Sequence, residues 1–143
     1  MSVDNTINVL FRHLQMNDLI EEQNAKYIIN KYPNALYMGT IYRCIVADKV
    51  IQTDLWQSWT KDKEMAYTIV SNIRGDYQQG ERILLEQQGM GVDIVKLLRV
   101  LKCKENITQE QRNIICKMLS NYKHEQEVLC KLNDTYKILE IKE

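Results

Sequence analysis

Proline occurs once in this chain, at Pro33, and glycine only five times. So thin a supply excludes collagen-like repeats and Pro/Gly-rich linkers, and it makes Pro33 a natural end to any helix before it. Histidine is equally scarce, with only His13 and His124. The four cysteines (Cys44, Cys103, Cys116 and Cys130) are widely spaced and form no C-x-x-C pair. A zinc centre would be hard to assemble from this set, and four free thiols are the simplest reading. Neither charge is in excess: 19 Lys and Arg face 19 Asp and Glu. Duplex binding usually needs a basic surplus, so nucleic acid is not expected as the main partner. No apolar run approaches the roughly 20 residues of a membrane span, and no signal-like segment opens the chain. These absences lead to the expectation of a cytoplasmic, reducing setting without a membrane partner.

What remains is ordinary globular material. The chain has 143 residues, 45% hydrophobic and 27% charged, enough for one self-sufficient core. Residues 4–30 carry apolar side chains at helical spacing (Ile7, Leu10, Phe11, Leu14, then Leu19, Ile20, Tyr27, Ile28), with Asn17-Asp18 as a dividing point. From Ala35 the period changes. Residues 36–47 are rich in β-branched and aromatic types and predict a strand, and a second extended stretch runs to Trp59-Thr60. A helix follows from Lys61 to about Ser71, then a polar loop from Arg74 to Tyr77. A strand at 82–86 precedes a turn at Gly89 and Gly91. Two helices at 92–101 and 108–120, the second capped by Thr108 with Gln111 three residues on, lead to closing strands at 128–130 and 136–141. The predicted class is α+β in one domain, 1–143. An N-terminal helical segment, 1–33, precedes a mixed or antiparallel β core with inserted helices, 34–143.

Three constellations can carry chemistry. Side chains alternate along a strand, so Ile41, Arg43 and Ile45 share one face and Tyr42, Cys44 and Val46 the other. Both faces are apolar except at Arg43. A guanidinium stays charged at physiological pH, and it needs either an internal carboxylate or an anionic ligand such as a phosphate, which it grips bidentately. Ser58 and Thr60 point one way and Trp59 the other at a strand end that runs directly into a helix. Thr60 can serve as that helix's N-cap, or the two hydroxyls can position a ligand or a carboxylate. Glu125 and Glu127 flank Gln126 at the head of an apolar strand. Such a pair is either a solvated strand end or a site for polar work on a sugar or a guanidine.

In this order and spacing the three motifs, LYMGTIYRCI, SWTKDKEMA and EQEVLC, resemble the ADP-ribosyltransferases of the arginine–serine–glutamate class, over about residues 36–141. The resemblance implies that Arg43 holds the phosphates of NAD, which would be the substrate, with no metal required. It implies that Ser58 orients the catalytic carboxylate and Thr60 supports the strand–helix junction. Glu127 would be that carboxylate, bonding the nicotinamide ribose, while Glu125 would face the acceptor and help deprotonate it. Tyr42 and Tyr77 would complete the NAD site, Tyr77 by packing on nicotinamide. The implied partner is a protein acceptor, modified on a side chain such as arginine. The wealth of Ile, Asn and Lys suggests an AT-rich genome, in keeping with a phage or bacterial effector acting in host cytoplasm. A catalytically inactive module that binds a nucleotide or a partner protein is the alternative. Nicotinamide leaves as a neutral ring, so no histidine is assigned a part.

Overall fold

The computed structural model describes residues 3–16, 18–47, 50, 53–74 and 81–142. Two helices open the chain, α1 (Val3–Met16) and α2 (Glu22–Lys31); the predicted dividing point includes Asn17, which lies outside the described residues. Five strands follow: β1 (Leu36–Val46), β2 (Gln57–Thr60), β3 (Arg82–Asp93), β4 (Glu127–Cys130) and β5 (Lys137–Lys142). Helix α3 (Lys63–Arg74) separates β2 from β3, and α4 (Ile94–Lys102) with α5 (Gln109–Tyr122) separates β3 from β4. The class is α+β, and every pairing among the described strands is antiparallel.

The strands close on themselves. Their order is β1-β2-β4-β3-β5, and β1 also pairs with β3 from Leu36↔Val92 to Val46↔Arg82. Strand β3 is the seam, since its other edge takes β4 at Val92 and Asp93 and β5 at residues 82–86. The result is a small antiparallel barrel. Its interior holds Ile41, Trp59, Ile83, Leu85, Val128 and Cys130. On the outside α1, α2, α4 and α5 pack a larger core of Ile7, Leu10, Ile28, Leu97, Leu98, Leu101, Ile115 and Met118 against Val92 and Leu129. Helix α3 covers another part of the wall through Ala66, against Cys44 and Leu84. Strands β1 and β4 are therefore apolar on both faces because each lies between two cores.

Three sequence expectations change. No turn occurs at Gly89 and Gly91; β3 runs straight through both, and α4 starts at Ile94 rather than Val92. A glycine at 91 is required by close approach, because a Cβ there would lie 2.3 Å from the Leu129 carbonyl oxygen. Asp93 caps α4, its carboxylate accepting from the Lys96 amide at 3.1 Å. The N-cap of α3 is not Thr60 but Asp62, whose side chain accepts from the Glu64 amide at 3.0 Å. Thr108 and Gln111 do form the expected capping box on α5.

Candidate functional site

The register of β2 against β4 assembles the site. Ser58 pairs with Leu129 and Thr60 with Glu127, so Ser58, Thr60 and Glu127 project from the face opposite to Trp59 and Val128. Trp59 and Val128 fill the barrel, which leaves the polar trio facing the helical layer. Thr60 is fully buried and binds both neighbours of the trio: its hydroxyl donates to the Glu125 carbonyl at 2.7 Å and accepts from the Asp62 amide at 3.1 Å. That pair of bonds ties the start of α3 to the segment that delivers both glutamates.

Glu125 is not on the strand, as the sequence suggested. It ends a short 3-10 turn (Lys123–Glu125), and Gln126 adopts a left-handed conformation at φ 49° before β4 begins. The kink replaces strand alternation as the reason that both carboxylates face one cleft. This cleft has a volume of about 270 Å³, and His13, Ser58, Ile69, Tyr122, Glu125 and Glu127 are among its lining.

His13 is the residue that sequence reasoning left out. It is 5% exposed on the last turn of α1, and its Nε2 lies 2.7 Å from Glu127 Oε2 and 3.1 Å from Ser58 Oγ. Its Nδ1 donates to the Asp18 carbonyl at 2.8 Å. Burial opposes charging this ring, but the Glu127 carboxylate and the Asp18 carbonyl outweigh burial and the repulsion of Arg43, and the pKa rises above its ordinary value. The geometry suits a ring that donates from both nitrogens, Nδ1 to the Asp18 carbonyl and Nε2 to the Glu127 carboxylate. A serine–histidine–carboxylate triad is ruled out by connectivity, because serine and carboxylate meet the same ring nitrogen. One signal of His13 was present in the sequence. It continues the apolar stripe of Ile7, Leu10 and Leu14, where a polar side chain must find a buried partner.

Glu125 is 9% exposed. Burial, then the Glu127 charge, push its pKa up to about 7, against a smaller opposing pull from His13. A carboxyl poised there can accept a proton at neutral pH. The same shift makes stability depend on pH. Above the ordinary glutamate pKa the folded state holds this proton longer than the unfolded state, so its contribution is present in acid and is lost as pH rises toward 7. Glu125→Gln is expected to match wild type near pH 4 and to exceed it by about 2 kcal/mol at pH 8 in urea titrations. A difference independent of pH would contradict this environment. His13 has the same sign: the stability that its raised pKa contributes is lost as pH rises through that pKa.

Arg43 is half-buried on β1 and donates from Nη1 to the Ser58 carbonyl at 2.6 Å. Tyr42, opposite Thr60 in the β1–β2 pairing, is half-buried beside it. Tyr42, Arg43, Ser58 and Thr60 surround a gap of only about 10 Å³. Strands β2 and β4 thus bring Ser58, Thr60 and Glu127 together beside Glu125, while the Tyr42↔Thr60 register puts Tyr42 rather than Arg43 on their face, and Arg43 meets them through the Ser58 carbonyl. Tyr77 lies outside the described residues. Comparison with family models, curated proteins and solved structures returns no match. The site must be judged on its chemistry alone.

Proposed function

We propose that this chain is a mono-ADP-ribosyltransferase, moving ADP-ribose from NAD to a protein side chain and releasing nicotinamide. One observation carries the reading: Ser58, Thr60 and Glu127 project from one face of two paired strands, with Arg43 bonded to the backbone of the same serine on a third. A phosphate-binding fork and a ribose-directed carboxylate are the two ends that a dinucleotide needs.

The donor set fits the reaction. Breaking the nicotinamide–ribose bond sends its electron pair to the neutral leaving ring and leaves positive charge on the sugar. Glu127, held in a fixed position, stabilises that charge more in the transition state than in the ground state. The acceptor nitrogen or oxygen then bonds to the sugar carbon and surrenders a proton, which Glu125 is tuned to take. Acceptor guanidines suit a paired-carboxylate mouth, so an arginine of a host or defence protein is the favoured target. This setting is that of a phage or bacterial effector in host cytoplasm.

The reading is tested by incubating the protein with labelled NAD and a bacterial lysate, following label transfer and free nicotinamide. Wild type is expected to do both. Arg43→Ala is expected to bind NAD about 10²-fold more weakly, and Arg43→Lys to fall between, because the charge remains without the fork. Indifference to both substitutions would sink the proposal. The inactive-module reading draws on the His13 contact, which leaves Glu127 only 4% exposed. Tight NAD binding without nicotinamide release by any variant would favour it.

A further inference from the structure

The contact between His13 and Glu127 conflicts with catalysis as drawn. A carboxylate that must face a positive sugar is already engaged by the His13 ring nitrogen 2.7 Å away. Space gives the same answer. NAD has to reach from Arg43 to Glu127, yet the gap at Arg43 is about 10 Å³ and the cleft at Glu127 about 270 Å³. Pockets that enclose small ligands run from roughly 300 to 1,000 Å³, and a dinucleotide is a large ligand. The site is closed.

We propose that His13, with the last turn of α1, is a gate over the NAD site that must leave Glu127 before the nicotinamide ribose can reach it. The proposal rests on reading the site as an ADP-ribosyltransferase centre. Opening is local, because α1 is held unevenly. Its apolar face is anchored by Ile7, Leu10 and Leu14, all buried against the helical core. Its end is exposed at Gln15 and Met16, and Asp18 and Leu19 beyond it are exposed too. The backbone bond from the Asp18 amide to the Arg12 carbonyl is long, at 3.3 Å. The bonds from His13 to Glu127 and to Asp18 are the short ones that close this end. Beyond Leu14 the side chains of Gln15 and Met16 are exposed, and a helix end of that kind opens locally, without the rest of the chain. Rotation of the imidazole and loss of one turn would free both the Glu127 carboxylate and the space beside Ser58. NAD would then capture the open form, and its apparent affinity would be reduced by the fraction closed.

The opposite role for His13, holding Glu127 in place for catalysis, makes the opposite prediction. Full-length wild type, His13→Ala and His13→Gln are to be compared by NAD titration calorimetry and by hydrogen exchange along α1. A gate predicts at least about tenfold tighter NAD binding in both variants, with faster nicotinamide release in His13→Ala. It also predicts that saturating NAD speeds exchange at the last turn of wild-type α1 while the turn around Ile7 stays protected. Equal or weaker NAD binding by the variants, or slower exchange in wild type with NAD, overturns it. Binding of NAD by none of the three proteins sinks the functional reading, and exchange alone then judges the gate. Exchange at the last turn must rise about tenfold in His13→Gln with the first turns unchanged, and uniform behaviour along α1 rejects it.

Discussion

On the proposed function, replacing Glu127 by glutamine is expected to slow nicotinamide release from NAD by about 10³-fold at saturating NAD, with the fold intact. The substitution keeps shape and removes only charge. Glutamine can still accept a hydrogen bond from His13 through its amide oxygen, so the cleft beside Ser58 and Tyr122 keeps its lining. What is lost is the fixed anion, and with it the preferential stabilisation of a positive ribose. His13 loses its main counter-charge and is expected to titrate lower, which an NMR titration of the ring would show. The rate is read by nicotinamide release and by intact-mass analysis of candidate acceptors. Turnover within tenfold of wild type would mean that Glu127 supports the fold and not the chemistry. Loss of folding would show instead as a collapsed thermal transition, which separates the two causes.

The order of motifs was legible because it depends on local rules. Strand alternation correctly placed Ser58 and Thr60 on one face and Trp59 on the other, and the β2–β4 register turned that local fact into a shared site with Glu127. Arg43 was legible as an anomaly because both of its strand's faces are apolar. The switch from helical to alternating period near Ala35 fixed the α+β class for the same reason.

What was not legible is mostly long-range. His13 and Glu127 are 114 residues apart, and no local rule pairs them. His13 could be flagged only as a polar member of an apolar stripe, and that flag does not name a partner. The cap of α3 was misplaced by two residues because Thr60 and Asp62 are equally good caps by type. The burial of Thr60 against the Glu125 carbonyl decided it, since the hydroxyl was already committed there. Glu125 was placed on a strand because E-x-E reads as alternation. The left-handed Gln126 breaks it, and a non-glycine residue gives little warning of such a conformation.

Gly89 and Gly91 were mistaken for a turn, and the reason leads to the largest stability effect expected here. A glycine that permits close approach cannot be told by type from one that permits a turn. At Gly91 an added Cβ would meet the Leu129 carbonyl oxygen at 2.3 Å and Val128 Cγ1 at 3.0 Å. The oxygen belongs to the backbone of β4 and cannot rotate away, so the β3–β4 seam has to open. Gly91→Ala is therefore expected to destabilise the chain by about 3 kcal/mol or more, read as a lower urea midpoint. Gly89→Ala is the internal comparison. There the closest atom, at 2.6 Å, is Cδ1 of Ile41, the far end of a flexible side chain, and about 1 kcal/mol is expected. The seam is also where β4 delivers Glu127, two residues before Leu129. Gly91→Ala should accordingly weaken NAD binding even in the fraction that stays folded, whereas Gly89→Ala should not. Equal effects of the two alanines on stability would mean that closure of the barrel at Leu129 is not what positions the site.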